Sequence, residues 1–302
     1  MDLKAKLPDA GETVLLYGTT PPRLGTSPEN VALAAEKLAT RLANLPLDGV
    51  VLYDIQDETG RTELPRPFPF VSTIDPREYA KRFRLPAIVY KALGMMEERD
   101  WRAWLQDSKN SIRFLSVVGR PASGKRYPLP LSRAIRIAAN TEDFVVGGVV
   151  IAERHDAERS EAARLLAKGI EGCGYFISQT VYQAAPTQRL LADYLRDCRG
   201  AGLAPQRIIL TFAPCGREKT LAFLRWLGVN VPADTERAIF GAADPLARSI
   251  QVCRDNLRRI LDGAYASHIP LGVNVESVSI NRDEIDASVD LFHALQEVLA
   301  GR

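Results

Sequence analysis

The chain has 302 residues, of which 46% are hydrophobic and 25% are charged, a composition that excludes the disordered and fibrous classes. Its 39 Lys and Arg residues nearly balance 37 Asp and Glu residues, so the net charge of +2 gives no overall signal for nucleic acid or for an acidic membrane. Four scattered cysteines and three histidines show neither a zinc-ligand spacing nor a disulfide framework.

The N-terminal sequence MDLKAKLPDAGE contains no apolar segment of the kind that directs secretion, and no later run reaches the roughly 18 apolar residues of a membrane span. Together with the cysteine pattern, these features predict a reduced, cytoplasmic protein. We expect its partner to be a small molecule rather than a membrane or a nucleic acid. A partner protein or a homo-oligomer stays open.

Short apolar runs with many β-branched residues recur along the chain, and turn residues bound them. They predict eight strands, at Thr13–Tyr17, Gly49–Tyr53, Pro86–Tyr90, Ile112–Val118, Phe144–Ile151, Tyr175–Ser178, Arg207–Phe212 and Ile269–Val275. Segments with helical periodicity lie between and after them, at Pro28–Leu42, Pro76–Arg82, Glu97–Gln106, Pro130–Ala138, Glu158–Gly169, Thr187–Cys198, Arg217–Trp226, Pro245–Leu261 and Arg282–Leu299.

The predicted strands are apolar throughout rather than alternating, which indicates a parallel sheet that is covered on both faces. Eight such strands favour closure, and a (β/α)8 barrel runs to about 250 residues plus insertions. We therefore predict one α/β domain over residues 1–302, a single (β/α)8 TIM barrel. Leu64–Phe70 (LPRPFPF) and Val229–Ala243 are predicted excursions from the repeating pattern.

The catalytic groups of such barrels come from the carboxyl ends of the strands. The residues that follow each predicted strand are therefore the candidates for catalysis and binding. Lys91 follows an apolar run, and a lysine buried there needs either an anionic ligand or an internal ion pair with Asp54 or Glu276. His155 follows the fifth predicted strand and is either a general base, a cofactor contact or a structural residue.

A second motif, Gly119–Arg126, fits the first seven positions of a phosphate-binding P-loop and lies between a predicted strand and a predicted helix. The eighth position fails, because Arg126 replaces the Ser or Thr whose hydroxyl would hold magnesium. The barrel prediction favours the alternative, a glycine-rich surface turn.

Five segments share a pattern with one known family. They are Pro21–Arg23, Asp57–Thr62 (DETGRT), Val149–His155 (VVIAERH), Ile177–Gln179 (ISQ) and Arg207–Pro214 (RIILTFAP). In this order they resemble the FEFFPPR, GERDRT-like, PExH, ITQ and IIPGILP elements of the methylenetetrahydrofolate reductase family. Members of that family are flavin-containing (β/α)8 enzymes that pass a hydride from a nicotinamide cofactor to methylenetetrahydrofolate.

The resemblance implies roles for individual residues. Gln179 falls on a folate-contacting glutamine, while His155, Glu161 and Lys168 fall on flavin-contacting positions. The implied cofactors are FAD and NAD(P)H, and the implied ligand is a folate or another anionic molecule.

The same comparison exposes four departures. Gly18 replaces the glutamate that is the expected proton donor, and Arg120 replaces an aspartate that contacts the pterin. Tyr53 and Tyr90 replace a threonine and a histidine at positions that we assign to the cofactor. Arg120 and Lys91 add positive charge, which favours an anionic ligand, so both are candidate substrate-binding residues.

Proton donation to a pterin nitrogen requires an acid within hydrogen-bond reach, which Gly18 cannot supply. Asp54 and Glu276 are the candidate replacement acids. Three functions stay open: a divergent folate-dependent oxidoreductase with or without its flavin, a non-catalytic folate- or flavin-binding homologue, and a barrel enzyme with altered one-carbon transfer chemistry.

Overall fold

Eight parallel strands close into a barrel in sequence order, and β8 pairs back with β1. A computed structural model describes residues 2–57, 63–119 and 128–301. The strands are β1 Val14–Thr19, β2 Gly49–Leu52, β3 Ala87–Ala92, β4 Phe114–Val118, β5 Val145–Val150, β6 Tyr175–Thr180, β7 Arg207–Phe212 and β8 Leu271–Glu276. The predicted (β/α)8 TIM barrel is confirmed, and the strand bounds differ from the predicted ones by at most two residues.

The helices of the described residues surround this barrel. They are α1 Leu3–Lys6, α2 Pro28–Leu42, α3 Pro76–Ala80, α4 Glu98–Ser108, α5 Leu131–Ala139, α6 Glu161–Ile170, α7 Ala184–Gly200, α8 Glu218–Trp226, α9 Ala233–Phe240, α10 Pro245–Leu261 and α11 Arg282–Ala300. Capping explains the helix starts that the sequence marks most clearly. Before α2, for example, the Ser27 side chain accepts a hydrogen bond from the Asn30 N–H, and Pro28 is the first helical residue.

Two helices were absent from the sequence prediction. Helix α1 is a single turn without a side-chain cap, too short to show a periodic pattern. Helix α9 lies inside the predicted excursion Val229–Ala243 and buries only Ile239, so it lacks the apolar stripe that indicates a helix.

Alternate residues of each strand fill the barrel interior. Val14, Leu16, Val51, Ile88 and Phe114 form one buried cluster there, together with Tyr90, Tyr175, Ile177 and Ile209. Leu3 and Leu7 belong to the same cluster, so the N-terminal segment closes the amino end of the barrel. The opposite, carboxyl end is therefore the one that is free to hold a ligand.

The segment after β2 folds back over the carboxyl end of the barrel. Leu24 N–H donates to the Ser72 carbonyl at 2.8 Å, and Ile74 N–H donates to the Pro22 carbonyl at 2.9 Å. Arg23 and Thr73 form an antiparallel bridge between the same two segments. These contacts fix the predicted excursion, Leu64–Phe70, beside the loop that follows β1. No helix of the described residues is long and apolar enough to cross a membrane.

Candidate functional site

A cavity of about 1510 Å³ opens at the carboxyl ends of the strands. A pocket for one drug-sized ligand usually measures about 300–1000 Å³, so this cavity has room for more than one such molecule. All eight strands or the loops directly after them contribute to its wall. The contributing residues include Gly18, Tyr53, Asp54, Tyr90, Val118, Gly119, Val149, Gln179, Thr211 and Glu276.

Glu276, the last residue of β8, lines the cavity together with Tyr53, Tyr90 and Gln179. We call these four residues the cavity floor. Glu276 Oε1 accepts a hydrogen bond from the Thr180 hydroxyl at 3.0 Å. The Asn274 side-chain amide donates to the Tyr53 hydroxyl oxygen at 2.9 Å and to Thr211 Oγ1 at 3.2 Å. The Tyr53 hydroxyl is also a hydrogen-bond partner of the Glu276 carboxyl. Tyr53 and Thr180 together therefore hold the carboxyl group in position.

Burial raises the pKa of the Glu276 carboxyl above its usual range, although the neighbouring hydroxyls of Tyr53 and Thr180 stabilise the charged form and partly oppose the shift. Burial also raises the pKa of Tyr53 well above its usual value, and the negative charge of Glu276 adds to that effect. Tyr53 is therefore a neutral hydroxyl. Glu276 is a carboxylic acid whose proton is available nearer neutral pH than that of an exposed glutamate.

The side chain of Tyr53 lies against Gly18. A Cβ atom at position 18 would lie 2.5 Å from the Tyr53 hydroxyl oxygen and 2.9 Å from Tyr53 Cε2, so the tyrosine occupies the space that a side chain at position 18 would need. In the sheet register, Gly18 is paired with Glu276. The acid at position 276 thus lies directly beside the strand position at which the resemblance places the missing glutamate.

This arrangement yields a prediction about restoring that glutamate. Gly18→Glu alone is expected to displace Tyr53, break its hydrogen bond with Asn274 and lower the free energy of unfolding by about 1–3 kcal/mol, because the added atoms overpack the floor. The double variant Gly18→Glu, Tyr53→Thr removes the conflict and should recover most of that loss. Urea unfolding of both variants and of Tyr53→Thr measures the coupling; equal losses in the single and double variants would contradict it.

Gln179 lines the cavity as predicted, on the same face of β6 as the interior residues Tyr175 and Ile177. The register between β6 and β7 shifts between Ile177 and Thr180, and the Thr211 N–H donates to Ser178 Oγ at 2.9 Å. The Gln179 amide nitrogen donates to the Leu227 carbonyl at 2.6 Å. Its Oε1 is buried and has no hydrogen-bond partner among the described residues, so it is an acceptor available to a ligand.

Four of the five predicted cofactor positions line the cavity. Tyr53 and Tyr90 contact each other edge to face on the floor, with ring centroids 5.0 Å apart. Glu161 and Lys168 lie on the wall that α6 forms. Lys168 Nζ donates to the Val149 carbonyl at 2.7 Å, and burial lowers the pKa of its ammonium.

His155, the fifth cofactor position, is not among the residues that line the cavity, and its contact with a cofactor stays a prediction. The chain leaves β5 in a short 3-10 turn, Ala152–Arg154, which directs the His155 ring toward α7. His155 Nε2 lies 2.8 Å from an oxygen of Asp193, and this hydrogen bond lowers the pKa of that carboxyl. His155 Nδ1 is buried and has no hydrogen-bond partner among the described residues, so the structural and the cofactor-binding alternatives both stay open.

Lys91 is not among the residues that line the cavity, and its contact with substrate stays a prediction. In β3 the side chains of Ile88 and Tyr90 belong to the interior cluster, and Lys91 therefore faces outward. Its ammonium lies 3.5 Å from Asp54 Oδ2 and 5.5 Å from the centre of the Trp104 ring. The internal ion pair with Asp54 is the alternative that holds.

Asp54 lines the cavity but is already engaged. Its Oδ2 accepts the Ala92 N–H at 3.0 Å as well as facing Lys91, and its Oδ1 accepts the Gln56 amide at 3.0 Å. Both oxygens of Asp54 therefore already face donors of the protein itself. Of the two candidate acids, Glu276 is the one that the structure favours. Arg120 and the P-loop-like positions 120–126 lie outside the described residues, as does most of Asp57–Thr62.

The wall of the cavity is predominantly cationic. Seven lysine and arginine residues of the described chain line it, against four acidic residues. The cations are Arg23, Lys37, Arg41, Arg66, Arg154, Arg164 and Lys168, and the acids are Asp54, Glu161, Glu171 and Glu276. This excess favours an anionic ligand, as the sequence predicted, although other residues than Lys91 supply the charge.

Several lining residues escaped the sequence analysis. Arg66, Phe68 and Phe223 come from the segment after β2 and from α8, not from strand ends. The arginine inside the proline- and phenylalanine-rich sequence LPRPFPF is the signal that could have found the first two, because a cation among aromatic residues is a common recognition element.

A scan against models of known protein families and a search of curated proteins find no match. Among solved structures, the chain is similar to an uncharacterized protein from Clostridium thermocellum that binds two copies of 5-methyl-5,6,7,8-tetrahydrofolic acid. The two share 31% sequence identity over 99% of each chain, with a TM-score of 0.83. The spore cortex-lytic enzyme of Bacillus cereus shares 9% identity over 94% of this chain and 74% of that chain, with a TM-score of 0.51, which shows the barrel fold alone.

Proposed function

This chain belongs to the same protein family as the Clostridium thermocellum barrel, and from that premise we propose that it binds a reduced folate in the cavity and acts on its one-carbon unit. The observation that carries the proposal is Glu276, a buried acid on the floor at the position next to Gly18. That it is a methylenetetrahydrofolate reductase stays a prediction.

The floor is suited to the pterin ring. A reduced pterin presents N–H donors from its amino group and ring nitrogens, and these need acceptors when buried. Gln179 Oε1 is a buried acceptor without a partner among the described residues, and the Glu276 carboxyl lies on the same floor. Tyr90 and Tyr53 supply aromatic surface beside them. The cationic wall then receives the anionic tail of the folate.

The proposed chemistry of this chain is a proton transfer. Opening the ring of methylenetetrahydrofolate breaks a C–N bond, and so does transferring the methyl group of methyltetrahydrofolate to a nucleophilic acceptor. In both reactions the folate nitrogen departs as an amine and must be protonated. Glu276 donates that proton and becomes a carboxylate, which the Thr180 and Tyr53 hydroxyls stabilise. The same two hydroxyls hold the carboxyl in place before the transfer.

Four of the five positions that we assign to the cofactor line this cavity, namely Tyr53, Tyr90, Glu161 and Lys168, which supports a flavin as part of the proposal. When bound, FAD would supply a hydride that originates from NAD(P)H. The arginines on the same wall, Arg154 and Arg164, are suited to its diphosphate. We include FAD and NAD(P)H in the proposal on this basis.

Titration calorimetry with 5-methyltetrahydrofolate tests the proposal. Because the cavity exceeds the space of one ligand, we expect two molecules per chain without FAD and one in its presence. Equal stoichiometry in both titrations would mean that the flavin does not share this cavity. An absence of heat, together with an unchanged melting temperature at millimolar folate, would refute folate binding itself.

A further inference from the structure

Arg66 is a cation of the cavity wall whose role the proposed chemistry does not explain. Its Nε and Nη1 atoms are buried and have no hydrogen-bond partner among the described residues. Other cations of the same wall have acceptors: Arg41 pairs with Asp286 at 3.3 Å, and Arg164 pairs with Glu161 at 3.4 Å. Removing guanidinium donors from water without an acceptor is unfavourable, so this arrangement needs an explanation.

Aromatic rings hold the guanidinium group in place. Its central carbon lies 4.6 Å from the centre of the Trp226 ring, 5.3 Å from that of Phe70 and 5.9 Å from that of Phe223. Phe223 and Trp226 are stacked on each other, with centroids 5.8 Å apart and planes 8° apart. These cation–π contacts stabilise the charge of the guanidinium but supply no hydrogen-bond acceptor for its Nε and Nη1.

The position of Arg66 relative to the floor is set by α8. Gln179, on the floor, is hydrogen-bonded to the Leu227 carbonyl, and Trp226, the next residue back, is the ring nearest Arg66. Arg66 and Gln179 thus contact two consecutive residues at the carboxyl end of α8, Trp226 and Leu227. Phe68 and Phe223, which are in edge-to-face contact at 5.4 Å, line the cavity with them.

We propose that Arg66 is the recognition site for a carboxylate of the folate tail, and that the benzoyl group packs against the surface that the rings of Phe68 and Phe223 form together. This assignment rests on the proposed folate binding and specifies how the ligand is oriented. A folate carries a pterin, a benzoyl ring and a glutamate in that order. A carboxylate supplies acceptors in one plane that match the donors of a guanidinium, and an aromatic platform keeps that plane fixed.

The test compares two ligands that differ only in the tail charge, 5-methyltetrahydrofolate and its bis-amide, in which both carboxylates are neutral. Wild-type protein is expected to bind the carboxylate form on the order of 10- to 100-fold more tightly, as charge-assisted hydrogen bonds allow. Arg66→Met should bind the two ligands equally. Arg66→Lys keeps the charge without the planar donors and should retain part of the preference.

Lys219→Met is the matched control. Lys219 is an exposed cation whose ammonium lies 4.7 Å from the centre of the Phe68 ring. The substitution therefore removes a charge from the same aromatic cluster without altering the cavity wall. It should keep the full wild-type preference. Melting temperatures of all variants identify any that fail to fold, and Arg66→Lys then provides the comparison.

The outcomes separate the two proposals. If wild-type protein binds neither ligand, folate binding itself is refuted and the Arg66 assignment fails with it. If it binds both with equal affinity, or if Arg66→Met keeps the wild-type preference, folate binding stands and only the role of Arg66 is overturned.

Discussion

Replacing Glu276 with glutamine is expected to lower kcat for one-carbon turnover by on the order of 10²–10⁴, the usual effect of losing a positioned general acid. Glutamine has nearly the same shape and can still accept the Thr180 hydroxyl, which donates to Glu276 at 3.0 Å. Folate affinity should therefore change much less than kcat. The measurement is NAD(P)H oxidation with methylenetetrahydrofolate in the presence of FAD, together with direct folate titration.

The pH dependence gives this prediction a second readout. Burial raises the pKa of Glu276 above the value of an unfolded chain, so the folded protein binds this proton more tightly than the unfolded one. The associated stability is fully present below the unfolded pKa, and it is lost as pH rises through the folded pKa. Across that window the wild type should lose stability relative to Glu276→Gln, and its turnover should fall as the acid loses its proton.

Asp54→Asn is the control for the choice of acid. Asp54 also lines the cavity, but its oxygens already face Lys91 and the Ala92 N–H. The variant should retain turnover within about tenfold, because no proton donor is lost. A large loss in Asp54→Asn with little change in Glu276→Gln would reverse the assignment. A wild type that binds folate without turnover would identify a binding protein instead of an enzyme.

Arg207→Met should produce the largest loss of stability, about 3–5 kcal/mol, because it leaves buried acceptors without their donor. The Arg207 side chain is 1% exposed and donates to the backbone carbonyls of Leu7 at 2.9 Å, Lys6 at 3.0 Å, Leu271 at 2.5 Å and Asp9. Burial lowers the pKa of the guanidinium to about 10, and it therefore stays charged at neutral pH.

Urea unfolding with a constant m-value measures this loss. Arg136→Met is a suitable control, because its guanidinium is half exposed and pairs at the surface with Glu171 at 2.7 Å. That variant should cost less than about 1 kcal/mol. Losses of similar size in the two variants would show that the carbonyl contacts of Arg207 contribute little.

The sequence predicted where functional residues would lie better than which way their side chains would point. Gln179 and Glu276 end strands and reach the cavity, as predicted from the barrel geometry. Lys91 ends a strand too, but it follows inward-facing Tyr90 and so faces outward. The apolar strands, buried on both faces, hide this alternation in the sequence.

Contacts between distant segments were also beyond the sequence. The Tyr53 side chain fills the space beside Gly18 because β1 and β2 are neighbours in the barrel. In the sequence, each residue is only a departure from the family pattern. The contact between Arg66 and the Trp226 ring joins the segment after β2 to α8. No periodic pattern in the sequence predicts that these two segments meet. The contact of His155 with Asp193 follows from a short 3-10 turn after β5 that the sequence does not reveal.

The contacts of Arg207 also constrain the order in which the chain can assemble. This residue donates to carbonyls about 200 positions earlier in the sequence, so its contacts with the N-terminal turn cannot form until most of the protein has been synthesised. Contacts of such long sequence separation form late and slowly, because a large loop must close first. Leu3 and Leu7 share their cluster with Val14, Leu16 and Val51 of β1 and β2, so they can be covered early. We expect the docking of the same turn onto β7 and β8 to be a late event in barrel formation.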